Sequence, residues 1–167
     1  LILSTTAGLW GYNIGDTVKF VSLSPFRIVV TGRIKHYISA FGEHVIGKEV
    51  ETAMEEVCKS TAIRVKEFTV APQIDPKDGL PFHEWLIEFE DFPDEIDQFA
   101  ALLDKKMQKQ NAYYEDLIRG KVLRSLVITE VAPSAFQSYM KSIVKLGGQN
   151  KIPRLSNDRN IADELQI

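Results

Sequence analysis

Cysteine is nearly absent. Cys58 is the single one in 167 residues, which excludes an internal disulfide and fits a reducing compartment. There is no CxxC pair, and the histidines His36, His44 and His83 share no metal-ligand spacing, so no protein-built metal site is expected. Positive charge is not in excess. A total of 20 lysines and arginines against 23 acidic residues gives a net charge of −3, and therefore no electrostatic case for nucleic acid or an anionic membrane. No apolar run approaches the ~20 residues a bilayer span needs, and no secretory leader is expected at the start. Gly147-Gly148 lacks the spacing of a phosphate-binding P-loop and the Ser or Thr after its lysine. Repeats and low-complexity segments are missing as well. The chain opens at Leu1 in a strand-like run without an initiator Met, so a piece of a larger polypeptide is expected.

What remains is ordinary for a globular domain with its own core: 44% hydrophobic and 26% charged residues. Residues 1–33 read as β. Strand-like runs at Leu1–Ser4, Leu9–Tyr12, Val18–Ser22 and Arg27–Thr31 are punctuated by Gly8, Gly11, Gly15 and Pro25, with too little apolar surface for a closed core. Asp16 follows Gly15 at a strand junction. A carboxylate there projects from a rigid edge and can accept two hydrogen bonds from adjacent hydroxyls such as those of a ribose; taken alone, Gly15-Asp16 reads as a plain β-turn.

From Ile46 the period becomes helical. Val50, Ala53, Met54, Val57 and Cys58 share one face, which places Cys58 in the core as a packed thiol and not a nucleophile. Ile63–Val70 reads as a strand whose apolar phase slips between Val65 and Phe68, predicting a bulge near Lys66-Glu67. Ala71–Phe82, with Pro72, Pro76, Asp78-Gly79 and Pro81, reads as a long loop. His83–Glu90 alternates as a half-buried antiparallel strand with Trp85, Ile87 and Phe89 inward. A helix from Asp94 carries Ile96, Phe99, Ala100, Leu103 and Met107, a second helical piece covers Gln110–Arg119, and a strand covers Leu126–Val131. Ser134 and Gln137 have the form of a capping box for a helix with Phe136, Tyr139, Met140, Ile143 and Val144 inward, ending near Lys145 and Gly147. The segment Gly148–Asp158 reads as a polar, proline-broken tail, with a short last helix over Asp158–Leu165. The expected fold class is α+β, a small, mostly antiparallel sheet packed by helices.

The runs Thr5–Asp16, Thr31-Gly32-Arg33, Phe41-Gly42-Glu43-His44-Val45 with Glu49 and Glu51, and Asn150-Lys151-Ile152-Pro153-Arg154 follow one another in a familiar order. Together they resemble the C-terminal third of the auxin-responsive acyl-acid amido synthetases. These belong to the adenylate-forming superfamily that also holds firefly luciferase and acyl-CoA synthetases. The resemblance runs nearly the whole chain. It implies that residues 1–33 are the trailing β edge of a large ATP-binding domain and residues 34–167 a mobile C-terminal lid, hinged near Arg33–Lys35.

The resemblance also implies roles. Lys151, on a glycine-led segment and pinned by Pro153, is the lysine of the adenylation half-reaction, where an ammonium stabilises charge on phosphate. Asp16 holds the ribose, and Arg33 helps it or orders the hinge; on its own Arg33 reads as an ordinary strand-end cation. Arg154 touches phosphate or holds its loop, and Lys35 sits near the pivot. Gly42 and Glu43 belong to the loop that moves toward the active site for the second half-reaction; on their own, Glu43 and His44 read as caps of the following helix. Implied substrates are ATP with Mg, held mainly by residues upstream of Leu1, a carboxylic acid and an amino acid or other amine, in a cytoplasmic enzyme. A fragment lacking the upstream residues is expected to be inactive alone.

The plant branch usually has an aspartate and a basic residue near Phe41–His44 and an arginine near Gly11. Phe41-Gly42 and Gly11 depart from that and suggest a bacterial-type branch. The alternatives are a thioester-forming acyl-CoA-type ligase and a non-catalytic binding or dimerisation module.

Overall fold

The computed structural model describes residues 2–33, 37–143 and 151–165. Its first part is two small hairpin-like sheets. Strand β1 (Ile2–Leu3) pairs with β2 (Tyr12–Asn13), and β3 (Asp16–Leu23) pairs antiparallel with β4 (Phe26–Arg33). Gly15, at φ +77, supplies the left-handed turn into β3, and its N–H is taken by the Asn13 side chain at 2.9 Å. As expected, this part closes no core. Trp10 is 83% exposed, and Phe20, Leu23 and Phe26 also face outward.

Strands β5 (Tyr37–Ile38) and β6 (Val45–Ile46) pair antiparallel and lead into α1 (Gly47–Thr61). The predicted face of α1 holds: Val50, Ala53, Met54 and Val57 are buried. Cys58 is half-buried against the same core, and burial pushes its thiol up from the usual range, which keeps it protonated and unreactive. The start of α1 differs from the expectation. Glu49, not Glu43 or His44, accepts from the Ile46 N–H at 3.0 Å. Glu43 has turned inward instead.

The main sheet has the order β7 (Val65–Gln73), β8 (Phe82–Phe89), β9 (Val127–Glu130), with β7–β8 antiparallel and β8–β9 parallel. The predicted bulge lies between Val65 and Glu67. The predicted loop at 71–82 is shorter, because β7 continues through Pro72 to Gln73 at the sheet edge, where a missing N–H costs no internal ladder bond. Helices α2 (Ile96–Gln110) and α3 (Ala112–Arg119) pack with α1 on one face, around Trp85, Ile87, Phe99, Leu103, Met107 and Tyr114.

The other face of β8 is not open to water, so the half-buried reading is corrected: seven of the eight β8 residues are buried. Helices α4 (Ala135–Ser142) and α5 (Asn160–Leu165), with Ile152, cover Leu86 and Ala71 in a second core. Glu84 and Glu88 on this face are buried as ion pairs, with Arg159 at 2.7 Å and Lys66 at 2.6 Å.

The capping box at Ser134 is likewise replaced. Ser134 is left-handed (φ 67), its side chain makes no cap bond, and its N–H donates to Glu88 Oε1 at 2.7 Å. Phe136 and Met140 are buried as expected, while Ile143 is partly exposed; Val144, Lys145 and Gly147 lie outside the described residues. Among the described residues, no helix is long and apolar enough to cross a membrane.

Candidate functional site

Lys151 stands at the head of a segment that is far from a loose tail. Ile152 and Leu155 are buried, in the second and first cores respectively. Leu155 bridges in parallel to Val70, and the backbone is tied on both sides of that residue. The Val70 N–H donates to the Arg154 carbonyl and the Ser156 N–H to the Val70 carbonyl, both at 3.0 Å. The Thr69 hydroxyl donates to the Pro153 carbonyl at 2.7 Å. One parallel bridge at Leu155 thus ties this segment to the outer edge of β7, and the expectation of a polar tail is corrected. Proline forbids an N–H bond at 153, but its carbonyl is the group used. Lys151 itself is exposed.

Arg154 locks this segment. Its guanidinium lies over the Phe68 ring at 4.6 Å, donates to the Phe68 carbonyl at 3.2 Å, and pairs with Glu67 and with Glu51 of α1. These bonds engage its Nε and Nη1 donors.

Asp16 opens β3, half-buried, directly across from Arg33 in the β3–β4 register. The hairpin therefore brings these candidates to one point although 17 positions separate them. Lys35 lies outside the described residues. The hairpin end and the Lys151 segment belong to different elements, the first on β3–β4 and the second on the edge of β7.

Gly42 (φ +92) and His44 (φ +47) are both left-handed, and the turn between them drives Glu43 into the interior. There Glu43 Oε1 lies 2.9 Å from His83 Nε2, and Oε2 accepts the Phe41 N–H at 2.8 Å. Burial opposes ionisation, yet the hydrogen bond from His83 and those from the backbone hold the carboxyl below its usual range. His83 stacks on Tyr114, with ring centroids 5.1 Å apart. The Tyr114 hydroxyl donates to the buried Asp104 at 2.7 Å; burial and the neighbouring Asp104 charge raise its pKa well above the usual tyrosine value. Asn111, between α2 and α3, ties in the turn by donating to the Glu43 carbonyl at 3.1 Å and to Glu49 at 3.0 Å.

His83, Tyr114, Asn111 and Asp104 escaped the sequence reading as site-forming residues. The available signal was weak: a histidine opening an otherwise apolar strand. Among the described residues, no group of His, Cys, Asp and Glu is arranged to hold a metal ion.

Residues 48–160 match the GH3 family C-terminal domain. No curated protein matches the chain in sequence. Among solved structures, one described as GH3.15 acyl acid amido synthetase is 18% identical with a TM-score of 0.75, over 99% of this chain and 32% of that one. Another, AtGH3.15 acyl acid amido synthetase in complex with 2,4-DB, is 18% identical with a TM-score of 0.73, over 99% and 31%. At that identity they speak for the fold, and the chain spans about a third of their length. The α+β architecture is the one they carry. On the match over residues 48–160, this chain belongs to the GH3 family and carries its C-terminal domain.

Proposed function

We propose that the chain is the C-terminal part of an ATP-dependent acyl-acid amido synthetase. The whole enzyme activates a carboxylic acid as its acyl adenylate, releasing pyrophosphate, and passes the acyl group to an amine or amino acid. The observation that carries this reading is the setting of Lys151, an exposed ammonium at the head of a backbone segment tied to the β7 edge, in a chain of this family. A cation so mounted can be presented at the same place each time, and preorganised charge is worth most where water is excluded.

In this reading Arg154 sets the segment from which Lys151 projects. Asp16 suits a ribose diol because a carboxylate accepts from both hydroxyls, and its register position opposite Arg33 puts a cation at the same strand end. The hairpin character of 1–33 and the core that begins with β5 support a domain division at residue 33. Magnesium is left to the remainder of the enzyme. An acid ligand is named for one structural relative, 2,4-DB, which supports a carboxylic acid as substrate here. The cytoplasm and the bacterial-type branch stay part of the proposal, on the single cysteine and on Gly11 and Phe41-Gly42.

The test is ATP–pyrophosphate exchange by the complete polypeptide against aromatic and aliphatic acids, 2,4-DB included. Exchange that depends on one acid and is lost in Asp16→Ala and in Lys151→Ala is the expected result. Folded enzyme that neither binds ATP nor exchanges with any acid overturns the reading.

A further inference from the structure

The turn from Ser39 to Val45 is held by a buried pair, Glu43 and His83, separate from the Lys151 segment and the Asp16 strand end. Glu43 and His83 are both shut off from solvent, 2.9 Å apart. A buried carboxylate is costly unless its oxygens are satisfied. Here Oε1 faces His83 and Oε2 takes the Phe41 N–H. A pair of this kind often contributes little net stability compared with apolar side chains of the same size. What it does supply is geometry. His44, a non-glycine residue at φ +47, sits in a region that persists only where the surroundings over-determine it. They do so through Asn111 on the Glu43 carbonyl, the Ser39 hydroxyl 3.1 Å from His44 Nδ1, and Tyr37 stacked on the His44 ring. His83 is fixed in its turn by Tyr114, whose hydroxyl is anchored on Asp104.

We infer that His83 is a positioning residue: acting through Glu43, it holds the Gly42 turn in the one conformation that serves acyl transfer to the amine. The inference rests on the amido synthetase reading, in which this turn belongs to the second half-reaction. His83 touches no substrate. It sets where the backbone at Gly42 lies, from inside the domain.

Two readouts test this. The first needs no substrate: amide hydrogen exchange of this chain, as wild type, His83→Leu and His83→Gln. Leucine removes the nitrogen that faces Glu43, whereas glutamine places an amide N–H near the position of Nε2. Exchange at Phe41–Val45 is expected to rise at least tenfold in His83→Leu and return toward wild type in His83→Gln, with the β8 amides of Leu86 and Ile87 unchanged. Wild-type exchange at the turn in His83→Leu overturns the inference. So does a parallel rise in β8, which would make the residue merely structural. If His83→Leu does not fold, Glu43→Gln, which keeps the size and one acceptor, is read by the same criterion.

The second readout uses the complete enzyme. In His83→Leu, pyrophosphate exchange is expected within twofold of wild type while amide formation falls at least tenfold. Equal losses in both steps, or in neither, overturn the positioning role. Absence of exchange in the wild type overturns the underlying reading instead, and the turn measurements distinguish that failure from a failure of the His83–Glu43 contact.

Discussion

The Arg154 guanidinium lies 4.6 Å from the centre of the Phe68 ring and is closed in by the carboxylates of Glu67 and Glu51. It joins the Lys151 segment both to the bulged start of β7 and to α1, so its removal should be felt as loosening of 152–156. Arg154→Ala is expected to cost about 1–2 kcal/mol, the sum of one partly shielded cation–π contact and half-exposed ion pairs that are individually weak. Arg154→Lys should recover little, because an ammonium cannot reproduce a planar fork stacked on a ring. Urea unfolding checks the energy. Exchange of the Ser156 amide, which donates to Val70, checks the location.

Tyr114 is fully buried on the helical side of the sheet. Its hydroxyl donates to Asp104, which also accepts from the Leu126 N–H at 3.1 Å. Tyr114→Phe leaves a buried carboxylate short of one donor and should cost about 1–3 kcal/mol. Because burial and the Asp104 charge raise its pKa well above the usual value, Tyr114 should stay protonated as long as the fold survives. The tyrosinate absorbance of the wild type and of Tyr114→Phe should therefore rise by equal amounts on alkaline titration. A larger rise in the wild type before unfolding would show that Tyr114 ionises in place.

The features legible in the sequence were those written in local periodicity. The α1 face, the inward set Trp85, Ile87 and Phe89, and the bulge before Phe68 all arise from side-chain spacing within one element. What escaped depends on partners far along the chain. Glu84 and Glu88 alternate as solvent-facing residues do, yet residues 151–165 and α4 roof them, and Arg159 and Lys66 satisfy their charge. Ser134 has the right neighbour for a capping box, but Glu88, 46 positions earlier, takes its N–H instead. Asp16 and Arg33 were named from the family resemblance, and the β3–β4 hairpin sets their backbones opposite each other. The Glu43–His83 contact spans 40 positions and leaves no periodic trace.

Glu43 should shape the acid side of the stability curve. Its carboxyl titrates below its ordinary value of 4.5 in the folded chain, despite burial, because of the His83 hydrogen bond and the backbone donors. On acidification the unfolded chain takes up this proton first, so the stabilisation is complete above the ordinary value and is lost as pH falls through the lowered one. Urea-unfolding stability from pH 6 down to pH 3 should fall less steeply in Glu43→Gln than in the wild type. Parallel curves would mean that the carboxylate gains nothing on folding.

Lys151 should separate stability from activity more cleanly than any other position. It is exposed, and among the described residues the bonds that fix its segment lie downstream, at Pro153, Arg154 and Ser156. Lys151→Ala should therefore leave unfolding free energy within about 0.5 kcal/mol of wild type, as surface substitutions usually do. In the complete enzyme the same change should lower pyrophosphate exchange by about a hundredfold or more, the scale on which a preorganised charge-stabilising group acts. Amide formation from a preformed acyl adenylate should be nearly unaffected, since the phosphorus chemistry is then already complete. A Lys151→Ala enzyme that exchanges pyrophosphate at the wild-type rate would make this lysine a surface residue. The adenylating cation would then have to come from elsewhere in the polypeptide.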